Sequence, residues 1–179
     1  SYVIYATFFS KALIESGMTP GAAGRLWSVI GAASIASGFV WGVVSDRAGR
    51  RTALTLIYLL QGLAFLSFGL QQLSTSGTVG YYVSAVFFAM SAWSIPAVIA
   101  AAASDIAGAK LASAAFGALT LFFGFGQILG PFTAGRLIEA TGIYSGSYIL
   151  AAVVALVGAA CSCLFVPARL SNMKDAYDR

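Results

Sequence analysis

Residues 42–51 read Gly-Val-Val-Ser-Asp-Arg-Ala-Gly-Arg-Arg, a dense charge cluster between two long apolar stretches. Charged residues make up only 9% of the 179-residue chain. Four charged residues within ten positions therefore mark a polar connection. This charge cluster therefore indicates where one apolar segment ends and the next begins.

The segments on either side are too apolar for a soluble domain. The chain is 59% hydrophobic, with a mean hydropathy of +0.87. A membrane-spanning helix needs about 20 consecutive apolar residues. The composition predicts an all-α integral membrane protein with one six-helix transmembrane domain over residues 1–166 and a polar tail at 167–179. We place the helices at roughly 2–16, 23–44, 52–71, 79–103, 112–135 and 146–166.

The first of these stretches is short. From Ser1 to Ile14 a helix rises only about 21 Å, against a hydrocarbon core of about 30 Å. We expect that the chain begins inside a helix of a longer protein. A tilted helix in a locally thinned bilayer is the alternative.

The basic residues predict the orientation. With alternating spans, seven lie on one side and three on the other, which favours a cytoplasmic location for the larger set and for the carboxy-terminal tail. The larger set is Arg47, Arg50, Arg51, Lys110, Arg169, Lys174 and Arg179, and the smaller is Lys11, Arg25 and Arg136. Since these residues lie in connections, the net charge of +4 reflects topology and does not indicate nucleic-acid binding.

Several kinds of chemistry are disfavoured. The chain has no histidine, which excludes histidine-dependent catalytic triads, metal sites and proton relays from it. Cys161 and Cys163 are two apart on a predicted helix and point to different sides, so we expect buried packing thiols and neither a shared metal nor a disulfide. No metal, cofactor or enzyme activity is predicted. An intramembrane protease is disfavoured because no histidine could activate a serine.

The charge cluster also belongs to a longer pattern, Gly42-x-x-x-Asp46-Arg47-x-Gly49-Arg50-Arg51-x-x-Leu54. This pattern resembles the loop motif of the major facilitator superfamily, which joins the second and third helices of a six-helix half. The resemblance implies half of a twelve-helix fold and a latch that holds the cytoplasmic side closed. The implied latch residues are Gly42, Asp46, Arg47, Gly49, Arg50 and Arg51.

The charges have a physical rationale of their own. A carboxylate at Asp46 can lie against a helix N-terminus, where the helix dipole favours negative charge. The arginines can pair with carboxylates at neighbouring helix ends, and Asp105 is the available one in this chain.

The fifth stretch carries a second pattern, formed by Gly117, Gly126, Gly130, Pro131 and Gly135. It is similar to the antiporter motif of the same superfamily, except that Ala134 replaces a glycine. Proline cannot donate to the carbonyl of Gln127, which predicts a bend and a gating helix. The alternative is that glycine and proline are simply common in membrane helices.

Polar and aromatic residues within spans are candidate solute contacts. In major facilitator halves the first and fourth helices line the central cavity, which makes cavity candidates of Tyr2, Tyr5, Ser91, Trp93 and Ser94. Gln127, near the centre of the fifth stretch, joins them, and Lys11 is a candidate because it could attract an anionic solute. Packing remains the alternative for the tyrosines. Lys11 lies four residues from Glu15, so the two can also neutralise each other.

The resemblance implies secondary transport of a small solute by alternating access, coupled to protons. A complete member has two such halves, so the expected partners are the solute, protons, the lipid bilayer and the other half. We expect a multi-pass protein of a bacterial cytoplasmic membrane and favour the carboxy-terminal half, although the antiporter-like pattern is typical of the first. A non-transporting receptor or assembly partner with the same fold is the alternative function.

Overall fold

The computed structural model describes residues 1–74 and 77–164, and within these ranges the regular secondary structure is entirely helical. The last two residues of the predicted sixth helix, 165–166, and the whole predicted tail, 167–179, lie outside the described residues. The helices are α1 (Tyr2–Glu15), α2 (Pro20–Ala48), α3 (Arg50–Leu73), α4 (Val79–Ala89), α5 (Ser94–Thr141) and α6 (Ser145–Cys163).

Within the described residues, five segments are long and apolar enough to cross a membrane: α2, α3, Val79–Gly108, Lys110–Thr141 and α6. We call Val79–Gly108 the fourth span and Lys110–Thr141 the fifth span. They form one long run in which Gly108, at φ 71° and ψ 167°, interrupts the helical backbone. Helix α1, with 14 residues, is shorter than a spanning helix requires.

The helix bounds differ from the predicted ones at the charge cluster. We expected a connection of several residues between positions 44 and 52, but α2 continues to Ala48 and α3 begins at Arg50. Gly49 alone separates them, at φ 89°, a backbone conformation that a residue without a Cβ adopts readily. Asp46 and Arg50 therefore lie on the two helix ends themselves.

An aromatic core joins α1, α3, α4 and α6. Tyr5 is fully buried at its centre, with ring centroids 4.1 Å from Phe88 and 4.9 Å from Phe9. Its hydroxyl forms a hydrogen bond of 2.8 Å with the Ser84 hydroxyl. Phe68 and Tyr148 stack with centroids 4.1 Å apart, which ties α3 to α6. Aromatic pairs of this kind add about 0.5–1.5 kcal/mol beyond the area they bury.

Helices α3 and α6 make the most extensive contact among the described helices, and glycine allows them to approach each other. A Cβ on Gly69 would lie 3.1 Å from Ile149 Cγ1 and 3.3 Å from the Ser145 carbonyl oxygen. In the sequence, Ser34, Gly38 and Gly42 of α2 repeat at intervals of four, a small-residue stripe that also predicts close helix approach. No described atom outside α2's own backbone lies within 4 Å of a Cβ placed on Gly38 or Gly42, because the described helices pack elsewhere.

The cysteines also differ from expectation. Cys161 and Cys163 are free thiols, but both are exposed on α6. The prediction that they are buried is therefore wrong. Cys163 Sγ lies 3.6 Å from Thr55 Oγ1, so one of the two still contacts a neighbouring helix.

We expect Gly69→Leu to destabilise the protein by about 1–3 kcal/mol, because the backbone of α6 blocks the added side chain. Gly24→Leu is the matched control, because it gains the same helix propensity but its new Cβ has no neighbouring atom within 4 Å. Thermal unfolding in detergent measures both. Equal melting temperatures for the two variants would contradict glycine-dependent packing of α3 on α6.

Candidate functional site

The charge cluster is organised by one arginine. Arg50 Nε donates to Asp105 Oδ2 at 2.8 Å, and Arg50 Nη1 donates to Asp46 Oδ1. The same Nη1 also donates to the hydroxyl of buried Ser45 at 2.9 Å. Arg50 thus links the end of α2, the start of α3 and the carboxy-terminal end of the fourth span, which the sequence separates by up to 60 positions.

Exposure sets the strength of these contacts. The Arg50 side chain is 21% exposed, whereas Asp46 and Asp105 are 68% and 55% exposed. Solvated carboxylates contribute little each, typically about 0–1 kcal/mol per pair. The two ion pairs of the cluster can therefore be broken at a small cost in free energy.

Other predicted members take no part in this network. Arg47 and Arg51 are exposed and form no ion pair with the described residues. Asp46 accepts from Arg50 and makes no hydrogen bond to a described backbone amide, so the expected contact with a helix N-terminus is not formed. Ser45 was missed, because a serine in a helix gives no signal of its own.

The cavity candidates separate by burial. Tyr5, Ser91 and Ser94 are fully buried within the bundle, so in this conformation they have no surface to offer a solute. Their assignment as contacts is corrected accordingly: aromatic rings enclose Tyr5, and neighbouring helices cover the two serines. Lys11 pairs with Glu15 at 3.9 Å at the end of α1, on the exposed surface.

Two candidates do meet on an open face. Tyr2 packs edge-on against Trp93, with ring centroids 6.1 Å apart, and Trp93 is 58% exposed. Phe123 of the fifth span stacks on Tyr2 at 5.7 Å, a partner that the sequence did not reveal. Gln127 is also exposed, one turn beyond Phe123. The open aromatic face thus combines the first helix with the fourth and fifth spans.

The fourth span is broken at its centre. Residues 90–93 between α4 and α5 leave the α-helical pattern, and Ser94 N donates to Ser91 O at 3.4 Å in a tighter turn. Pro96 explains the break, because it cannot donate to the Ala92 carbonyl and its ring crowds that carbonyl. Our prediction of an uninterrupted helix over 79–103 is therefore wrong.

Side chains of α2 and α3 donate to backbone carbonyls within the break. Trp41 Nε1 donates to Met90 O at 2.7 Å, and Gln61 Nε2 donates to Ser91 O at 3.3 Å. Ser94 Oγ also donates to Ser37 Oγ at 3.3 Å. In the sequence, Pro96 is the signal for these contacts, because a proline within a helix leaves backbone carbonyls without their usual donors.

The predicted gating helix lies largely unpacked. Helical dihedrals continue through Pro131, and only Gly108 departs from them within α5. A Cβ on Gly130 would lie 3.5 Å from Ile4 Cγ1, whereas Gly117, Gly126 and Gly135 face open space. Within the described chain, the gating helix therefore contacts α1 at Gly130 and leaves its other glycines uncovered.

The proteins that this chain resembles are membrane transporters, which agrees with its apolar helices. Residues 1–163 match a family model described as an uncharacterised MFS-type transporter, YbfB. The chain is also similar to human solute carrier family 67 member A1, at 32% identity over 97% of the chain. It spans 43% of the length of that relative. No solved structure matches the chain significantly.

We expect Trp41→Phe to lower stability by about 1 kcal/mol, because Met90 O loses its side-chain donor inside an apolar environment. Trp93→Phe is the matched control, since the Trp93 ring is largely exposed and makes no hydrogen bond to a described residue. Thermal unfolding in detergent compares them. A Trp41→Phe protein as stable as the parent would show that the break needs no such donor.

Proposed function

Because the chain belongs to the major facilitator superfamily of membrane transporters, we propose that it forms half of a secondary transporter that moves a small solute by alternating access. The observation that carries this proposal is the Arg50 network. It ties together the ends of three spans on one side, where an alternating-access protein must close and reopen.

The network has the strength that a reversible latch requires. Two conformations can exchange only if their free energies differ by a few kcal/mol. Two solvated ion pairs fall within that range, whereas a fully buried pair would cost several kcal/mol to break. We assign Arg50 as the centre of the latch, with Asp46 and Asp105 as its partners, and we place this side in the cytoplasm.

We propose that a second six-helix half covers the face left open here. None of the most apolar 18-residue window of the fifth span is buried, and only 22% of that of α2. Uncovered glycines line these segments, and small residues allow another helix to approach closely. The chain's coverage of less than half of its human relative supports a partner half.

Proton coupling is also proposed, with its carboxylate outside this chain's described spans. Glu15, Asp46, Asp105 and Glu139 lie at or near helix ends, and none of them lies at the centre of a span. A proton carrier must lose and regain a proton inside the membrane. We therefore assign that carrier to the other half.

We expect the full-length protein, reconstituted into liposomes, to drive solute flux when a pH gradient is imposed. The driving force is the free energy of proton movement, so collapsing the gradient with an ionophore should abolish accumulation. Flux is measured over a broad panel of labelled solutes. Absence of flux for every solute would favour a non-transporting receptor or assembly protein.

We expect Asp46→Asn to shift the protein toward the inward-open state, because Arg50 loses one of its two charged partners. The shift in population should be about two- to fivefold. Labelling of Gln127→Cys by an impermeant maleimide added on the cytoplasmic side measures it, in a background where Ser replaces Cys161 and Cys163.

Arg51→Gln is the matched control, since Arg51 is exposed and unpaired among the described residues. It should leave the labelling rate unchanged, whereas Arg50→Gln should exceed Asp46→Asn because it removes both pairs at once. Equal labelling in all three variants would refute the latch.

A further inference from the structure

A small pocket lies beside the break in the fourth span. Its volume is about 160 Å³. It is formed by α1, α2, α4 and the break, and it is lined by Tyr2, Ala6, Trp27, Ile30, Gly31, Ser34, Phe88, Ala92 and Trp93. Gly31 and Ala92 lie near the midpoints of α2 and the fourth span, so the pocket lies at mid-height in the bundle.

Its lining is aromatic to an unusual degree. Four of the nine lining residues carry rings, which come from three different helices and from the break itself. Trp93 is largely exposed at the mouth, although tryptophan in membrane proteins usually lies at the interface between lipid and water. An exposed tryptophan at mid-height, beside a pocket, indicates a surface that meets something other than lipid tails.

The size of the pocket matches one ring. A dry apolar cavity of about 150 Å³ admits benzene. Aromatic rings pair best in offset-stacked or edge-to-face geometry, and the lining supplies ring faces and edges from several directions. A flat guest therefore gains ring contacts that a puckered guest of equal volume cannot make.

The pocket wall carries no formal charge. No aspartate, glutamate, lysine or arginine lines it, and its polar side-chain groups are the Tyr2 and Ser34 hydroxyls and the indole N–H groups. Ser34 Oγ donates to Gly31 O at 2.8 Å, which leaves its oxygen able to accept a hydrogen bond from a guest. An ion here would lose its hydration without a compensating charge on the wall.

We propose that this pocket holds a single flat, uncharged ring of the transported solute, and this assignment rests on the transport function proposed above. The guest is thus identified by chemistry, as a solute with a neutral aromatic group. Trp93 and Tyr2 form the mouth of the pocket, and Gly31 leaves the space into which the ring fits.

Benzamide, a water-soluble neutral flat ring, is the probe. We expect saturable binding to the full-length protein in liposomes, measured by equilibrium dialysis of labelled benzamide against protein-free liposomes of the same lipid. Cyclohexanecarboxamide, which is puckered, and benzamidine, which is flat but cationic, should each bind about tenfold more weakly. Equal binding of either compound would overturn the flat or the uncharged part of the assignment.

Variants that fill the pocket locate the binding. Gly31→Leu adds a side chain where a Cβ has open space, and should weaken benzamide binding about tenfold or more. Gly24→Leu, two turns away on α2 and outside the pocket, should bind as the parent does. Ala6→Leu fills the pocket from α1 and should reproduce the loss, which keeps the test valid if one variant fails to fold.

Binding that survives both filling variants, or no saturable binding at all, would overturn the pocket assignment. These measurements require no transport. Absent binding together with an intact labelling shift in Asp46→Asn would reject the pocket and leave the transport proposal in place. Binding without flux of any solute would reject transport and keep the ring-binding site.

Discussion

The structure depends on one constraint: a backbone carbonyl freed inside an apolar environment must find a donor within the protein. Pro96 breaks the fourth span at its centre, and Trp41 and Gln61 reach across from α2 and α3 to donate to the carbonyls of Met90 and Ser91 within the break. This requirement fixes how three helices sit at mid-height. It also places Trp93 on the surface, because the residues of the break no longer follow the helix.

The Arg50 network, at the end of the bundle, differs from the contacts of the break because its carboxylates are exposed to solvent. There the two carboxylates are more than half exposed, so each ion pair with Arg50 is weak and can break at a cost of about 0–1 kcal/mol. The polar contacts at the centre and at the end of the bundle therefore differ in exposure. This difference supports the proposed exchange between two conformations, because the contacts at the end can break at low cost.

Much of the architecture was predictable because it depends on local composition. Long apolar stretches predict membrane helices, and the charge cluster at 42–51 predicted where two of them meet. Burial of individual residues was not predictable, because helices that are apolar on all sides give no indication of which face meets a neighbour. Tyr5, Ser91 and the cysteines were misplaced for this reason. The contacts of Trp41 and Gln61 depend on a proline 35 or more positions away in sequence.

The packing of α3 on α6 has a consequence for biosynthesis. Gly69 and its neighbours on α3 enter the membrane early, but the helix that fits against them is made some 70 residues later. Until α6 emerges from the ribosome, the glycine surface of α3 faces lipid and the aromatic core lacks Tyr148. The fifth span packs little against the other described helices, so it can insert before α6 is made. The order of synthesis therefore makes closure of this bundle a late, single event.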